Sequence, residues 1–208
     1  YTNRNLFRGS EQLSIELRGA YEAITGLEGY QDQNYQEYSI ESKLVFPRFV
    51  APLLSKNFRR RQTANTEYSV AWDLQNRPEF HRRVFSMAWR YRWAEPRHHL
   101  NWRFDLLDLN YVYMPWISET FKRDYLDDAD NRNAILRYNY EDIFIMKMGF
   151  GLTYSDEVDA FRLNVESSGN LLSAFSKALN FKINSQGQRT FINIAYAQYA
   201  KADFDYTH

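Results

Sequence analysis

The chain has 208 residues and no cysteine, with 26 Lys+Arg against 26 Asp+Glu. Such a length accommodates one domain with a sizeable core, and the balanced charge gives no net field to recruit nucleic acid or a strongly acidic partner. Without thiols there are no disulfides, thiolate metal sites or cysteine nucleophile.

Taken in order, the chain reads as strands separated by turn signals. Over 12–23, Leu13, Ile15, Leu17, Gly19 and Tyr21 alternate with Ser14, Glu16, Arg18, Ala20 and Glu22, and a polar loop fills 26–34. Over 35–46, Tyr38, Ile40, Leu44 and Phe46 oppose Glu37, Ser39, Glu41 and Lys43, until Pro47 ends the run. An excursion over 48–65 carries the apolar Phe49–Leu54 and the basic Arg59-Arg60-Arg61. The stretch 66–93 reads as a hairpin of two long arms about Asn76-Arg77-Pro78-Glu79. Tyr68, Val70, Trp72 and Leu74 share a face in the first arm, and Phe85, Met87, Trp89, Tyr91 and Trp93 in the second. After a tight loop over 94–99, the run 100–114 changes apolar parity between Leu106 and Leu107, which predicts a β-bulge. Residues 115–140 form a helical or irregular insert, with Ser118 as a candidate N-cap, Phe121 and Tyr125 one turn apart and an acidic end at Asp127-Asp128-Ala129-Asp130. Alternation resumes over 143–154, a short arm covers 161–166, a weakly patterned connection follows over 169–188, and a last strand is expected over 190–201. That is an all-β, antiparallel chain of about eight to nine strands with one short helical insert.

Aromatics make up 17% of residues, yet the mean hydropathy is −0.64, which suits strands with one apolar and one hydrated face. Several arms are longer than the usual globular strand of about 5–6 residues and match the roughly 9–11 that cross a bilayer when tilted. No apolar run reaches the roughly 20 residues of a spanning helix, and a barrel would leave none. The mid-strand charges Glu16, Arg18, Glu41, Lys43, Asp73, Arg90 and Lys147 all have the polar parity, while His81 and Arg83, in the apolar parity, stand beside a turn. A transmembrane β-barrel follows, with Tyr68, Val70, Trp72, Phe85, Met87 and Trp89 facing lipid and Glu16, Arg18, Glu41, Lys43, Asp73 and Arg90 facing the lumen. A soluble β-sandwich binding carbohydrate through exposed aromatics has the same alternation and stays open as an alternative.

Other candidates carry weaker signals. His81, His98 and His99 lack a third metal ligand at a telling spacing, and Asp128-x-Asp130 is followed by Arg132 where a calcium loop needs an acceptor. Arg59-Arg60-Arg61 suits lipid phosphates, a partner's acidic patch or a solvated loop, and Phe49–Leu54 suits a plug, an interfacial dip or a covered loop. Glu16, Glu22, Glu37 and Glu41, with Ser14 and Ser39, offer acid–base and nucleophilic groups that any wet barrel face offers, and Gly-x-Ser-x-Gly is absent. The expectation is a non-enzymatic protein without cofactor or metal.

An ordered set of motifs carries a resemblance. Asn5-Leu6-Phe7-Arg8-Gly9-Ser10-Glu11-Gln12-Leu13 and Leu17-Arg18-Gly19-Ala20-Tyr21-Glu22 come first. Phe46-Pro47-Arg48-Phe49, Phe58-Arg59-Arg60-Arg61, Gln75-Asn76-Arg77-Pro78-Glu79, Leu107-Asp108-Leu109-Asn110-Tyr111-Val112, Pro115-Trp116-Ile117-Ser118 and Tyr140-Glu141-Asp142-Ile143-Phe144-Ile145 follow. Together they resemble the N-terminal part of the barrel domain of bacterial outer-membrane insertases, the BamA and TamA superfamily in its TamL-like form. The resemblance implies a sixteen-stranded barrel in the outer membrane, preceded by periplasmic POTRA modules. It further implies assembly and insertion of client outer-membrane proteins at a weak seam, with a TamB-like periplasmic partner reached through the POTRA modules, and no bond chemistry. The family's Val-Arg-Gly-Phe/Trp plug motif does not occur, so residues 1–208 are expected to be one, partial, barrel domain that begins near the end of its first strand. A small outer-membrane pore or structural barrel is the alternative of the same architecture.

Overall fold

The computed structural model describes residues 1–23, 26, 34–51, 63–126, 140–170, 182–183, 189–191, 194–195 and 198–208. Eight strands follow in order to residue 168: β1 (Thr2–Asn3), β2 (Gln12–Glu22), β3 (Tyr35–Phe46), β4 (Thr63–Asn76), β5 (Phe80–Glu95), β6 (Leu100–Ile117), β7 (Ile143–Ser155) and β8 (Ala160–Ser168). Three short strands, β9 (Lys182–Ile183), β10 (Arg189–Phe191) and β11 (Ile194–Ala195), form a separate small sheet, and β12 (Tyr199–Thr207) closes the list. The main sheet is antiparallel, nine-stranded and ordered β1-β2-β3-β4-β5-β6-β7-β8-β12, so every strand but the last lies beside its sequence neighbour. Among the described residues it is open, with β2 beyond its short pairing to β1 at one edge and β12 at the other.

The connections explain the meander. Pro78 sits in the three-residue turn between β4 and β5, where the Arg77 N–H donates to the Phe80 carbonyl at 2.9 Å. Arg77 also lays its guanidinium 5.0 Å from the Tyr35 ring. Pro96–His98 forms a single 3-10 turn between β5 and β6, ended by His99 at φ 55°. Asp156–Asp159 closes β7 onto β8 through a backbone bond of 2.9 Å.

The predicted bulge is present. Trp89 pairs with Leu107 but Arg90 pairs with Asp105, so Leu106 is the extra residue, and on the other side Asp105 and Asp108 pair with Gly149 and Lys147. The bulge lets Phe104, Leu106 and Leu107 stay with the apolar side chains while Asp105 and Asp108 stay with the charged ones. A second irregularity sets Met114 and Pro115 against Arg82, a place where a residue without a ladder N–H fits.

Three expectations need correction. The insert does not begin at 115, because Trp116 and Ile117 still pair with His81 and Phe80; helix begins at Glu119–Phe121 and continues as a wider turn over Lys122–Leu126. Ser118 occupies the N-cap position without a side-chain capping bond, and Phe121 and Tyr125 stack with ring centroids 5.0 Å apart. The acidic run 127–130 lies outside the described residues. The last strand is not one run over 190–201: Phe191 pairs back on Ile194, and the strand that joins the main sheet is Tyr199–Thr207, in register with β8 over its whole length. Finally, the described strands form an open sheet and not a closed barrel.

Candidate functional site

Residues directly opposed in an antiparallel ladder share a face, so register alone sorts the side chains. On one face Tyr68 stands opposite Leu44 and Trp89, Val70 opposite Met87, and Trp72 opposite Ile40 and Phe85. The row continues from Phe85 to Tyr111 and on to Phe144. All six side chains expected to face lipid therefore lie on this aromatic face. On the other face Glu16 opposes Glu41, Arg18 opposes Ser39, which opposes Asp73, and Lys43 opposes Ser14 and Ser69. Glu67 opposes Arg90, which opposes Asp105. All six residues expected to face a lumen share this charged face.

The exposure of the two faces is unusual. Val70 and Trp72 are each 45% exposed, Ile40 46% and Leu17 72%. The side chains of Glu67 and Arg90 are only 7% and 27% exposed. Buried apolar residues among those described are few: Phe49, Ala51, Ala64, Ala88, Tyr91, Phe121, Leu126 and Phe144.

The charged face is held together by Arg90. Its guanidinium reaches Glu67 at 3.1 Å on β4, and Asp108 at 3.3 Å and Asp105 at 3.7 Å on β6. Glu67 also takes Lys43 at 3.0 Å and Arg92 at 4.0 Å, while Asp105 takes Arg103 at 3.2 Å. Glycines make room: a Cβ on Gly149 would lie 3.0 Å from the Asp105 carboxylate, and one on Gly151 3.3 Å from Asn164. Farther along the sheet Glu16 bonds Arg18 at 2.7 Å, and Lys147 lies 3.8 Å from Glu166.

At one end of the aromatic face the segment after β3 folds back. Phe49 packs on Tyr91 and Trp93, with centroids 5.9 and 5.6 Å apart. The Val50 N–H donates to Thr66 Oγ1 at 2.9 Å, the Thr66 hydroxyl donates to the Arg48 carbonyl at 2.8 Å, and Tyr91 donates to the Val50 carbonyl at 3.1 Å. Phe49 and Ala51 are thus a covered apolar segment; Pro52–Leu54 and Arg59-Arg60-Arg61 lie outside the described residues.

The turns carry their own electrostatics. Glu11, at the start of β2, is buried, which pushes its carboxyl up. Its own N–H, the Gly9 N–H at 2.9 Å and the Arg48 guanidinium at 2.9 Å outweigh this and hold it below the usual range. A Cβ at Gly9 would fall 2.3 Å from Glu11 Oε1, so a side chain there would push the carboxylate from this position. Asp156 accepts from the Tyr154 hydroxyl and from the Asp159 and Val158 N–H groups at 2.7 and 2.9 Å, which lowers it to about 2.

The weaker candidates do not assemble. His98 and His99 occupy the β5–β6 turn, His81 packs on Trp116 at 4.8 Å on the aromatic face, and His208 meets Asp159 at 2.9 Å. Ser14 and Ser39 lie opposite Lys43 and Arg18, away from every histidine. Among the described residues no three His, Asp or Glu side chains are grouped so that they could hold a metal ion. Comparison with known proteins finds no matching family model, no matching curated protein and no matching solved structure.

Proposed function

We propose that the chain is wall of an outer-membrane β-barrel and works, without cofactor or bond chemistry, in the assembly and insertion of other outer-membrane proteins. The observation that carries the membrane reading is the exposure of the apolar face: Trp72, Val70, Ile40 and Leu17 are 45–72% exposed, more open than Glu67 and Arg90 at the centre of the ion-pair network on the opposite face. In water that arrangement leaves a broad apolar face without a partner, whereas in a bilayer the aromatic face meets lipid and the ion pairs line a wet lumen. A sandwich would bury the same face under a second sheet. Strands β2 to β7 run 11 to 18 residues, enough to cross the hydrocarbon when tilted.

The assembly role rests on the resemblance of the ordered motifs to those of insertase barrels and on the strand edges. On the outer side of β2, Leu13 and Ser14 pair with β1 and Ile15 exchanges two backbone bonds of 2.8 Å with Tyr1; past Ile15 that side has no ladder partner among the described residues, nor has the outer side of β12 from Ala200 to Thr207. Such an edge offers a client strand backbone donors and acceptors on which to build. On this reading the partners are outer-membrane lipid, client outer-membrane proteins and a TamB-like periplasmic protein.

The chain has no native cysteine, so single cysteines for spin labelling introduce no competing site. Labels at Trp72 and Trp89 in reconstituted vesicles are expected to collide with oxygen dissolved in lipid. Labels at Asp73 and Arg90 are expected to collide with a water-soluble nickel chelate. The opposite pattern sinks the face assignment. The assembly role is tested by adding the vesicle-bound protein to an unfolded client barrel: faster insertion than into empty vesicles supports it, and an unchanged rate overturns it.

A further inference from the structure

The charged face is not evenly neutralised. In the Arg90 network four cations, Lys43, Arg90, Arg92 and Arg103, are tied to three carboxylates, Glu67, Asp105 and Asp108. The surplus falls at one end. Beyond Arg92 and Arg103 lies a cavity of about 560 Å³ with Gly151 in its lining, to which Arg162 adds a third guanidinium, with Asn65, Asn101, Asn164 and Thr153 around it. Among the described residues no carboxylate lines it.

Register explains the convergence. Arg92 opposes Asn65 and Arg103, Arg103 opposes Gly151, and Gly151 opposes Asn164, so these side chains form one row of the charged face. Asn101, Thr153 and Arg162 form the next row toward the β5–β6 turn. The absent side chain at Gly151 gives Arg103 and Asn164 their room. Asp205 stands opposite Arg162 on β12 without forming an ion pair with it, and Arg162 has no ion pair among the described residues. Among the described residues the ion pair of Arg92 is its 4.0 Å contact to Glu67, and its side chain is 54% exposed.

We propose that this cavity is an anion site that takes a phosphate group, with Arg92, Arg103 and Arg162 as charge and the asparagines as additional donors. Guanidinium forks match tetrahedral oxyanions in geometry, and with Arg162 and the facing Asp205 included five cations stand against four carboxylates, a positive surplus at this end of the face that a phosphate group offsets. Free phosphates and phospholipid headgroups present the same chemistry. The site does not depend on what medium lies against the aromatic face.

The test uses the full chain in a non-ionic detergent at low ionic strength, because salt screens exposed guanidinium groups. Calorimetry with pyrophosphate reads the free-phosphate arm. Native mass spectrometry with phosphatidic acid against phosphatidylcholine reads the headgroup arm. Arg162→Gln, which removes a side chain with no ion pair to lose, is expected to weaken binding about tenfold or more in whichever arm binds, as expected for one charge-assisted contact. Thr153→Leu fills the cavity without touching a charge and is expected to do the same. Arg82→Gln, on the same face beside the β4–β5 turn, is expected to leave binding unchanged. Binding of pyrophosphate, or selective retention of phosphatidic acid, with this pattern of variants supports the site and names its source. No binding in either arm, indifference to both Arg162→Gln and Thr153→Leu, or an equal loss with Arg82→Gln overturns it.

Discussion

Asp156 is the side chain whose chemistry is most sharply set by its surroundings. It sits in the β7–β8 turn, outside the strands, where a phenol and two backbone N–H groups all point at one carboxylate. Hydrogen bonds to the charged form favour ionisation, so its pKa lies at about 2 rather than the ordinary 3.8. A depressed carboxyl pKa stabilises the folded turn fully above the unfolded value and loses that contribution as pH falls through the folded one. The turn should therefore hold down to about pH 4 and loosen between there and about pH 2. A carboxyl-carbon NMR titration is expected to give a midpoint near 2 for Asp156, with the Val158 and Asp159 amides shifting over the same range. A midpoint at the ordinary carboxylate value contradicts the hydrogen-bond pattern. The same turn anchors the sheet's last strand, since Tyr206 and His208 both reach Asp159, at 2.6 and 2.9 Å.

Between elements, Arg90 holds β4, β5 and β6 in one register by bonding carboxylates on both neighbours. Replacing it by methionine leaves Glu67, Asp105 and Asp108 facing one another with one cation fewer among them. Part-buried ion pairs broken on one side cost more than their net worth, here about 2–3 kcal/mol. Denaturant titration of Arg90→Met in detergent is expected to show that loss, and adding Glu67→Gln to recover part of it; simple additivity of the two would mean that they do not interact. How far such features were legible varies with their range. Pro47 marked the end of β3, and the parity change at Leu106 and Leu107 marked the bulge, because both are local. Strand β12 was missed because Ala200 and Ala202 give its apolar parity little contrast, while Ile192, Ile194 and Tyr196 drew the expected strand too early. The Arg90 network and the arginine cavity join residues from different strands, so they depend on a register that alternation leaves open by steps of two residues.

For the molecule as a whole, the decisive quantity is where apolar surface can go. Across the sheet, Leu17, Ile40, Val70, Trp72, Met87, Val165 and Phe204 are each more than a third exposed, and register sets them along one continuous face. At about 25 cal/mol per Å² of apolar area, a face of this extent cannot stay wet without driving association. The backbone edges of β2 past Ile15 and of β12 from Ala200 to Thr207, which have no ladder partner among the described residues, act in the same direction, since unpaired donors and acceptors template further strands. Transferred to plain buffer, the chain is expected to form heterogeneous assemblies. In detergent it is expected to stay monodisperse with a β-sheet circular dichroism spectrum, because micelles cover the aromatic face and leave the ion pairs hydrated. Light scattering coupled to size exclusion separates the two outcomes. A monodisperse monomer in plain buffer would require the aromatic face to be covered by the chain itself, and would overturn the membrane reading while leaving the arginine cavity on the opposite face intact.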